Sequence, residues 1–374
     1  MKKYCRLLVP VAIIALLPGC GIFGGSSKKP KPLPDISAPI SAKVIWQASA
    51  TKSGGFAFTP AAAQGVIYAA GADGTIVGTG DGTGRVESRI NTGQKLSGGV
   101  GFGDAKIVVG TAKGEVLAFE SSGRALWNSP VGGEVLAAPT LTANLVLART
   151  ADGRIFALNA LDGRRRWVYQ RVSPALTLRS SAGVVVSRGT VYAGFAGGKL
   201  VAIELESGKP IWEATLSQPR GATELERIAD IGGQPVLDDT RICASVYQGR
   251  SGCVETLNGN VLWSRELSSA TSMGVDSRNL YLSDDAGNVH ALDKVTGASV
   301  WKQDQLALRR LGAPVLFSGK VWVGDASGLV HILSIDNGAL IGRVSTDGSA
   351  INALIAVEGQ LIAQTANGGI FAIR

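Results

Sequence analysis

Histidine is almost missing from this chain of 374 residues: His290 and His331 are the only two. That shortage leaves no material for a Ser-His-Asp constellation. The two occupy equivalent places in adjacent repeats, and packed sheets lie about 10 Å apart, too far for two imidazoles to share a zinc at ~2 Å each. Both read as structural. Long apolar runs are also scarce. The one at residues 7–17 is shorter than the roughly 20 residues that cross a bilayer as a helix. No helical periodicity of useful length is present, and the best helical stretch is the short Thr223–Ala229. Glycine-rich runs at 78–82 and 99–103 do not open a helix after a strand, so neither cradles phosphate as a dinucleotide loop does. The acidic pairs Asp238-Asp239 and Asp284-Asp285 lack calcium-loop spacing. No metal site and no cofactor site is expected.

Positive charge is present but not focused. The formal net charge is +8. Removing Lys2, Lys3 and Arg6, and then Lys28, Lys29 and Lys31 less Asp35, leaves +3 for the body of the chain. Its one basic run, Arg164-Arg165-Arg166, lacks the aromatic-studded face that nucleic acid requires, and reads as a solvated strand start. No nucleic-acid partner is expected.

Glycine, at 50 residues, is what the chain has in abundance. It recurs with a period. Hairpin glycines stand at Gly74, Gly114, Gly153, Gly198, Gly249, Gly287, Gly328 and Gly368. A second glycine follows about ten residues later, at Gly84, Gly123, Gly163, Gly208, Gly259, Gly297 and Gly338. Four residues further stands a tryptophan: Trp127, Trp167, Trp212, Trp263 and Trp301, with Ser88 and Gly342 there in the first and seventh repeats. Four residues after the hairpin glycine stands a small residue: Ala118, Ala157, Ala202, Cys253, Ala291 and Ala372. A period of about 40 residues with two turn signals per unit is the mark of stacked four-stranded sheets. The eighth unit stops at Arg374, short of its last strand and tryptophan, and Ala42–Trp46 supplies a matching end. The expected fold is all-β: an eight-bladed β-propeller over residues 42–374, closed by an N-terminal strand at Val44–Trp46, which removes the long edge an open array would expose.

The N-terminus has its own logic. Lys2, Lys3 and Arg6 precede the apolar run, which ends in Leu17-Pro18-Gly19-Cys20. Residues 1–19 read as a secretory signal peptide. The end resembles a bacterial lipobox, which makes Cys20 the lipid attachment site and Gly21 the second mature residue. Residues 20–41, rich in Gly, Ser, Lys and Pro, read as a lipidated flexible tether. Export removes Cys5 and leaves Cys243 and Cys253 on the strands flanking the Gly249 hairpin, nearly opposite each other. An oxidising compartment permits a cross-strand disulfide between them; two buried thiols is the other reading.

Two stretches break the repeat. Residues 218–234, QPRGATELERIADIGGQ, lengthen one interval to 51 residues and alternate charges (Glu224, Glu226, Arg227, Asp230) with Leu225, Ile228 and Ile231. A plain connector needs only a few residues, and a long loop on a rigid scaffold is a place for binding. Residues 173–181, SPALTLRSS, set Leu176 and Leu178 around Thr177 ahead of Arg179. An ordinary innermost strand is the competing reading for that stretch.

With the lipobox and eight repeats, ALTLR at 175–179 and TELERIADI at 223–231 resemble the BamB family, propeller lipoproteins of the bacterial outer-membrane β-barrel assembly machinery. The likeness spans essentially the whole chain. It implies a non-catalytic scaffold, lipid-anchored at the periplasmic face of the outer membrane. The implied partner is the barrel-inserting, BamA-like subunit, met through its periplasmic repeats. Nascent outer-membrane proteins are a second, weaker partner. Matched residue by residue, the likeness assigns partner binding to Leu176, Leu178, Arg179 and Asp230, and the charged residues Glu224 and Arg227 join them from the insertion. A second aspartate usual in the family is replaced here by Gly232. Two alternatives stand beside this. Quinone-dependent dehydrogenases are also propellers with tryptophan motifs, but the vicinal cysteines they resemble one another in are absent here. A propeller that binds sugar or peptidoglycan is the other.

Overall fold

The computed structural model describes residues 30–36 and 39–374. The apolar N-terminal run, Cys20 and the residues up to 29 lie outside them. Among the described residues, thirty-two strands form eight four-stranded antiparallel sheets, and no helix is present. The sheets are the blades of an eight-bladed β-propeller. Blades 1 to 7 each take four consecutive strands, over residues 61–91, 96–130, 140–169, 185–215, 236–265, 274–303 and 315–345. Blade 8 takes three strands from residues 351–373 and its outermost one, Val44–Ser49, from the other end of the chain. That strand pairs antiparallel with Gly369–Ile373, setting Trp46 opposite Ala372. Ring closure is therefore made by the strand expected from sequence, extended to Ser49.

The repeat pattern has a direct packing cause. Each tryptophan faces the small residue of its own blade, as Trp212 faces Ala202 and Trp301 faces Ala291. The indole then reaches the turn between the third and fourth strands of the next blade. Its N–H donates to a carbonyl there: Trp167 to Leu205 at 2.9 Å, Trp212 to Thr256 at 2.9 Å, Trp301 to Ile335 at 2.9 Å. The second glycine of that turn lies under the ring. At Gly208, with φ +73°, a Cβ would stand 2.6 Å from the Trp167 ring, so the site needs glycine for both conformation and space. Trp46 does the same across the closure, donating to the Asp81 carbonyl at 2.6 Å.

Blade 7 departs from this pattern. Gly342 stands where the tryptophan would be and faces a large partner, Ile332, instead of a small one. Ile40 fills the vacancy: its Cγ1 lies 3.0 Å from where a Cβ of Gly342 would be, and its N–H donates to the Ile341 carbonyl at 2.8 Å. The segment before it also lies on the propeller. Leu33 packs against the cluster of Trp301 and Leu311, Arg343 donates to the Pro34 carbonyl, and Arg309 donates to the Lys31 carbonyl. Packing thus starts ahead of residue 42, the boundary expected from sequence. Its apolar residues were too few and too scattered among prolines to show it.

The two remaining cysteines are directly opposed and bonded, with a Cα–Cα distance of 4.0 Å. Both are buried between blades 5 and 6 with Trp263 and Leu280.

These contacts rank the effects of N-terminal truncation. Removal of residues 1–29 is expected to leave the melting temperature unchanged. Removal through Ser41 loses Leu33 and Ile40, at roughly 2–5 kcal/mol per well-packed aliphatic side chain. Removal through Trp46 adds about 3–5 kcal/mol more for the buried indole and unpairs a strand. Thermal denaturation of the three proteins checks the order; equal melting points for the last two would show that Trp46 does not close the ring.

Candidate loop-face site

Strand direction alternates within a blade, so the connections between blades and the hairpin-glycine turns share one end of the ring. Both out-of-pattern stretches are on that loop face. The segment 173–181 runs from blade 3 to blade 4 without strand structure, so it is not an innermost strand; that role belongs to Val185–Ser187. The insertion runs from blade 4 to blade 5.

The insertion is built in two parts. Its first part is a single turn, not the short helix its sequence suggests. Thr223 and Glu226 form a capping box: the Thr223 hydroxyl accepts from the Glu226 N–H at 3.3 Å, and the Glu226 carboxylate accepts from the Thr223 and Ala222 N–H groups at 3.1 and 2.9 Å. Those backbone bonds hold the Glu226 carboxyl below its usual range. One i to i−4 bond follows, from the Arg227 N–H to Thr223, and the turn ends. Glu224, Leu225 and Arg227 are exposed on it, with Glu224 and Arg227 3.8 Å apart. Its second part is buried. Ala229 and Ile231 enter the core between blades 4 and 5 with Leu200 and Ala244.

Asp230, between those two apolar residues, is carried inward with them and is 4% exposed. Its carboxylate accepts from the Leu178 N–H at 2.7 Å and from the Gly197 N–H at 3.2 Å. Ser180 adds a bond to the Gly232 carbonyl at 2.7 Å. The insertion thus holds the leucine segment by its backbone. The sequence places Asp230 among exposed binding residues; the structure buries it beneath segment 173–181, bonded to that segment's backbone. Gly232 has little room for a second acid, since a Cβ there would lie 2.9 Å from the Ala270 carbonyl oxygen.

Braced this way, Leu176 is 43% exposed, Leu178 is half-buried, and Arg179 points across the mouth of the ring. Arg179 is already engaged. Its guanidinium makes two bonds to Glu134, at 2.6 and 3.1 Å, and lies 5.3 Å over the Phe56 ring. Glu134 and Phe56 were missed from sequence because they sit in ordinary inter-blade loops and carry no motif. No hydrogen bond or ion pair among the described residues joins Glu224 or Arg227 to segment 173–181. Asp230 is the member that links the two stretches.

Two other features bear on chemistry. A cavity of about 390 Å³ opens at the centre of the loop face, lined by neutral residues such as Thr59, Gln234, Thr271 and Asn352. A carboxylated quinone and its cation would need basic and acidic partners, and this lining offers neither. The histidines sit in hairpins. His290 meets Asp284 at 2.9 Å and His331 meets Asp325 at 3.0 Å. Burial favours the neutral form of His331, opposed by Asp325.

Fold and repeat together define a quinoprotein-like β-propeller. Solved structures agree: the chain superposes on quinohemoprotein alcohol dehydrogenase of Comamonas testosteroni with a TM-score of 0.73, over 89% of this chain and 76% of that one, at 13% identity, a likeness of fold alone. It superposes better, with a TM-score of 0.84 at 27% identity, on BamB from Moraxella catarrhalis, over 89% of this chain and all of that one. The family model described as outer membrane protein assembly factor BamB matches residues 72–303. The outer membrane protein assembly factor BamB of Nitrosomonas eutropha is 44% identical over 338 residues, covering 90% of this chain and 82% of that protein. The chain belongs to the BamB family.

If Asp230 braces the leucine segment, Asp230→Ala should release it. Hydrogen exchange at the Leu178 amide should quicken at least tenfold, while core-strand amides such as Val201 keep their protection. Unchanged exchange at Leu178 would remove Asp230 from this role.

Proposed function

We propose that this protein is a non-catalytic scaffold of outer-membrane β-barrel protein assembly whose loop face binds the periplasmic repeats of the barrel-inserting subunit. Membership of a family named for outer-membrane protein assembly supports the general role. The observation that carries the finer reading is the braced leucine segment. Leu176, held out at the surface on a segment fixed by a buried carboxylate, costs solvation unless something covers it, and pre-ordering the segment lowers the entropy a partner must overcome. Leu176 supplies desolvated area, and the Arg179–Glu134 pair sets charge beside it. Glu224 and Arg227 extend the surface along the insertion. The neutral lining of the central cavity supports a scaffold over an enzyme. Strands of nascent barrel proteins would be a second kind of client, added at the outer edge of a blade.

Acyl chains on Cys20 would hold the protein at the periplasmic face of the outer membrane. Lys31 is tied to Asp304 and Arg309, where blade 6 leads into blade 7 on the loop face. Eleven residues separate it from Cys20, a reach of at most about 40 Å. The anchor would therefore keep the loop face near the bilayer.

Co-purification with the barrel-inserting subunit tests the surface. Leu176→Ser and Arg179→Glu should each reduce recovery of the partner at least tenfold with an unchanged circular dichroism spectrum, since exposed loop side chains contribute little to stability. Arg166→Glu, on the outer strand of blade 3, should bind as wild type. Wild-type recovery with both loop variants would refute the assignment. Cys20→Ala should move the protein from the membrane to the soluble fraction and abolish acyl labelling.

A further inference from the structure

We propose that the cleft beneath the leucine segment is a socket for a carboxylate, into which an aspartate or glutamate side chain of the bound partner inserts to pair with Arg149. This rests on the loop face being the binding face, and adds the chemistry the partner must bring. The cleft lies between blades 3 and 4 and has a volume of about 190 Å³. Thr177, Leu178 and Ser180 line it from the leucine segment, and Arg149, Asp152, Phe195 and Asp230 line it from the blades and the insertion. That volume is below the ~300 Å³ usual for small-molecule sites and suits one side chain.

Arg149 is the anomaly. It ends the second strand of blade 3, with its guanidinium 5.1 Å over the Phe195 ring. Arg171 lies 5.4 Å over the same ring, so two cations share one aromatic. Among the described residues the Arg149 guanidinium makes one hydrogen bond, from Nη1 to the Ala182 carbonyl at 3.3 Å. Among the described residues no carboxylate comes within 4.0 Å of it. Two acids, Asp152 and Asp230, line the same cleft, and each has partners other than Arg149. Asp152 pairs with Arg154 at 2.8 Å, Glu213 pairs with Arg171 and Lys199, and Asp230 accepts from two backbone N–H groups. A guanidinium carries five donors in a planar fork shaped for a carboxylate, and among the described residues only Nη1 of this one, half-buried at the cleft, has an acceptor. Burial presses on it: the Arg149 pKa falls to about 10, with the charge of Asp230 opposing the fall. A leucine would pack on Phe195 without that cost. The cation is retained beside a side-chain-sized cleft, under the segment assigned to the partner, and an inserted carboxylate would satisfy it bidentately.

Two measurements decide. In the first, the mature wild-type protein, labelled with 15N-arginine, is titrated with the blocked tripeptide acetyl-Ala-Glu-Ala-amide and with its glutamine analogue. The Arg149 Nε–Hε resonance, assigned by its loss in Arg149→Lys, should shift with the acidic peptide only. No shift, or equal shifts with both, would overturn the socket. In the second, Arg149→Gln is compared with wild type for recovery of the barrel-inserting subunit, with the melting temperature as the check on folding. Recovery should fall at least tenfold, and neutralising one acidic residue of the partner should give the same loss with no further loss in combination. Recovery within twofold of wild type would overturn the proposal. If wild type itself fails to bind that subunit, the functional reading falls, and the peptide titration still decides whether the socket exists. It decides likewise if Arg149→Gln does not fold.

Discussion

The contact on which the rest of the structure depends is the indole of one blade resting on the third turn of the next. It recurs around the ring and does two things at once. The ring buries a large apolar area between sheets, and its N–H satisfies a turn carbonyl. Each blade is small and carries too little core of its own. Contacts between blades must therefore hold it, and these define both the period of the sequence and the closure of the ring. Trp46, from the far end of the chain, makes the same contact across the seam. The two ends are thus part of one sheet and one interface.

Blade 7 shows how a repeat survives the loss of its principal residue. Gly342 and Ile332 exchange the usual large and small positions, and Ile40 arrives from outside the blade to cover the gap. The N-terminal segment thereby acquires a fixed course along the ring to the loop face.

The loop face owes its form to the burial of the second part of the insertion. Ala229 and Ile231 go into the core, and Asp230 follows because it lies between them. A carboxylate brought inward in this way must be satisfied, and backbone N–H groups of Leu178 and Gly197 do so. The result is a stiff platform. Leu176 is exposed on it, Arg179 crosses to Glu134 and Phe56, and Arg149 lies below with few partners. The rigid blades fix the positions, and the irregular loops carry the chemistry.

Sequence alone determined the eight-fold repeat, the closing strand and the two irregular stretches. Each of these is written in local terms: glycine where a turn requires it, tryptophan at a fixed offset, and breaks in a period. The opposed cysteines were legible for the same reason, since register within a hairpin is local. What tertiary structure decided is everything set by contacts between distant segments. Asp230 reads as one more surface charge in a polar loop, and only the burial of its neighbours turns it into a brace. Glu134, Phe56 and Arg149 stand in ordinary repeats, and become notable only where three inter-blade loops converge. Ile40 lies among prolines and serines, and its role appears only beside a glycine three hundred residues away, because packing volume is a property of space and not of chain order.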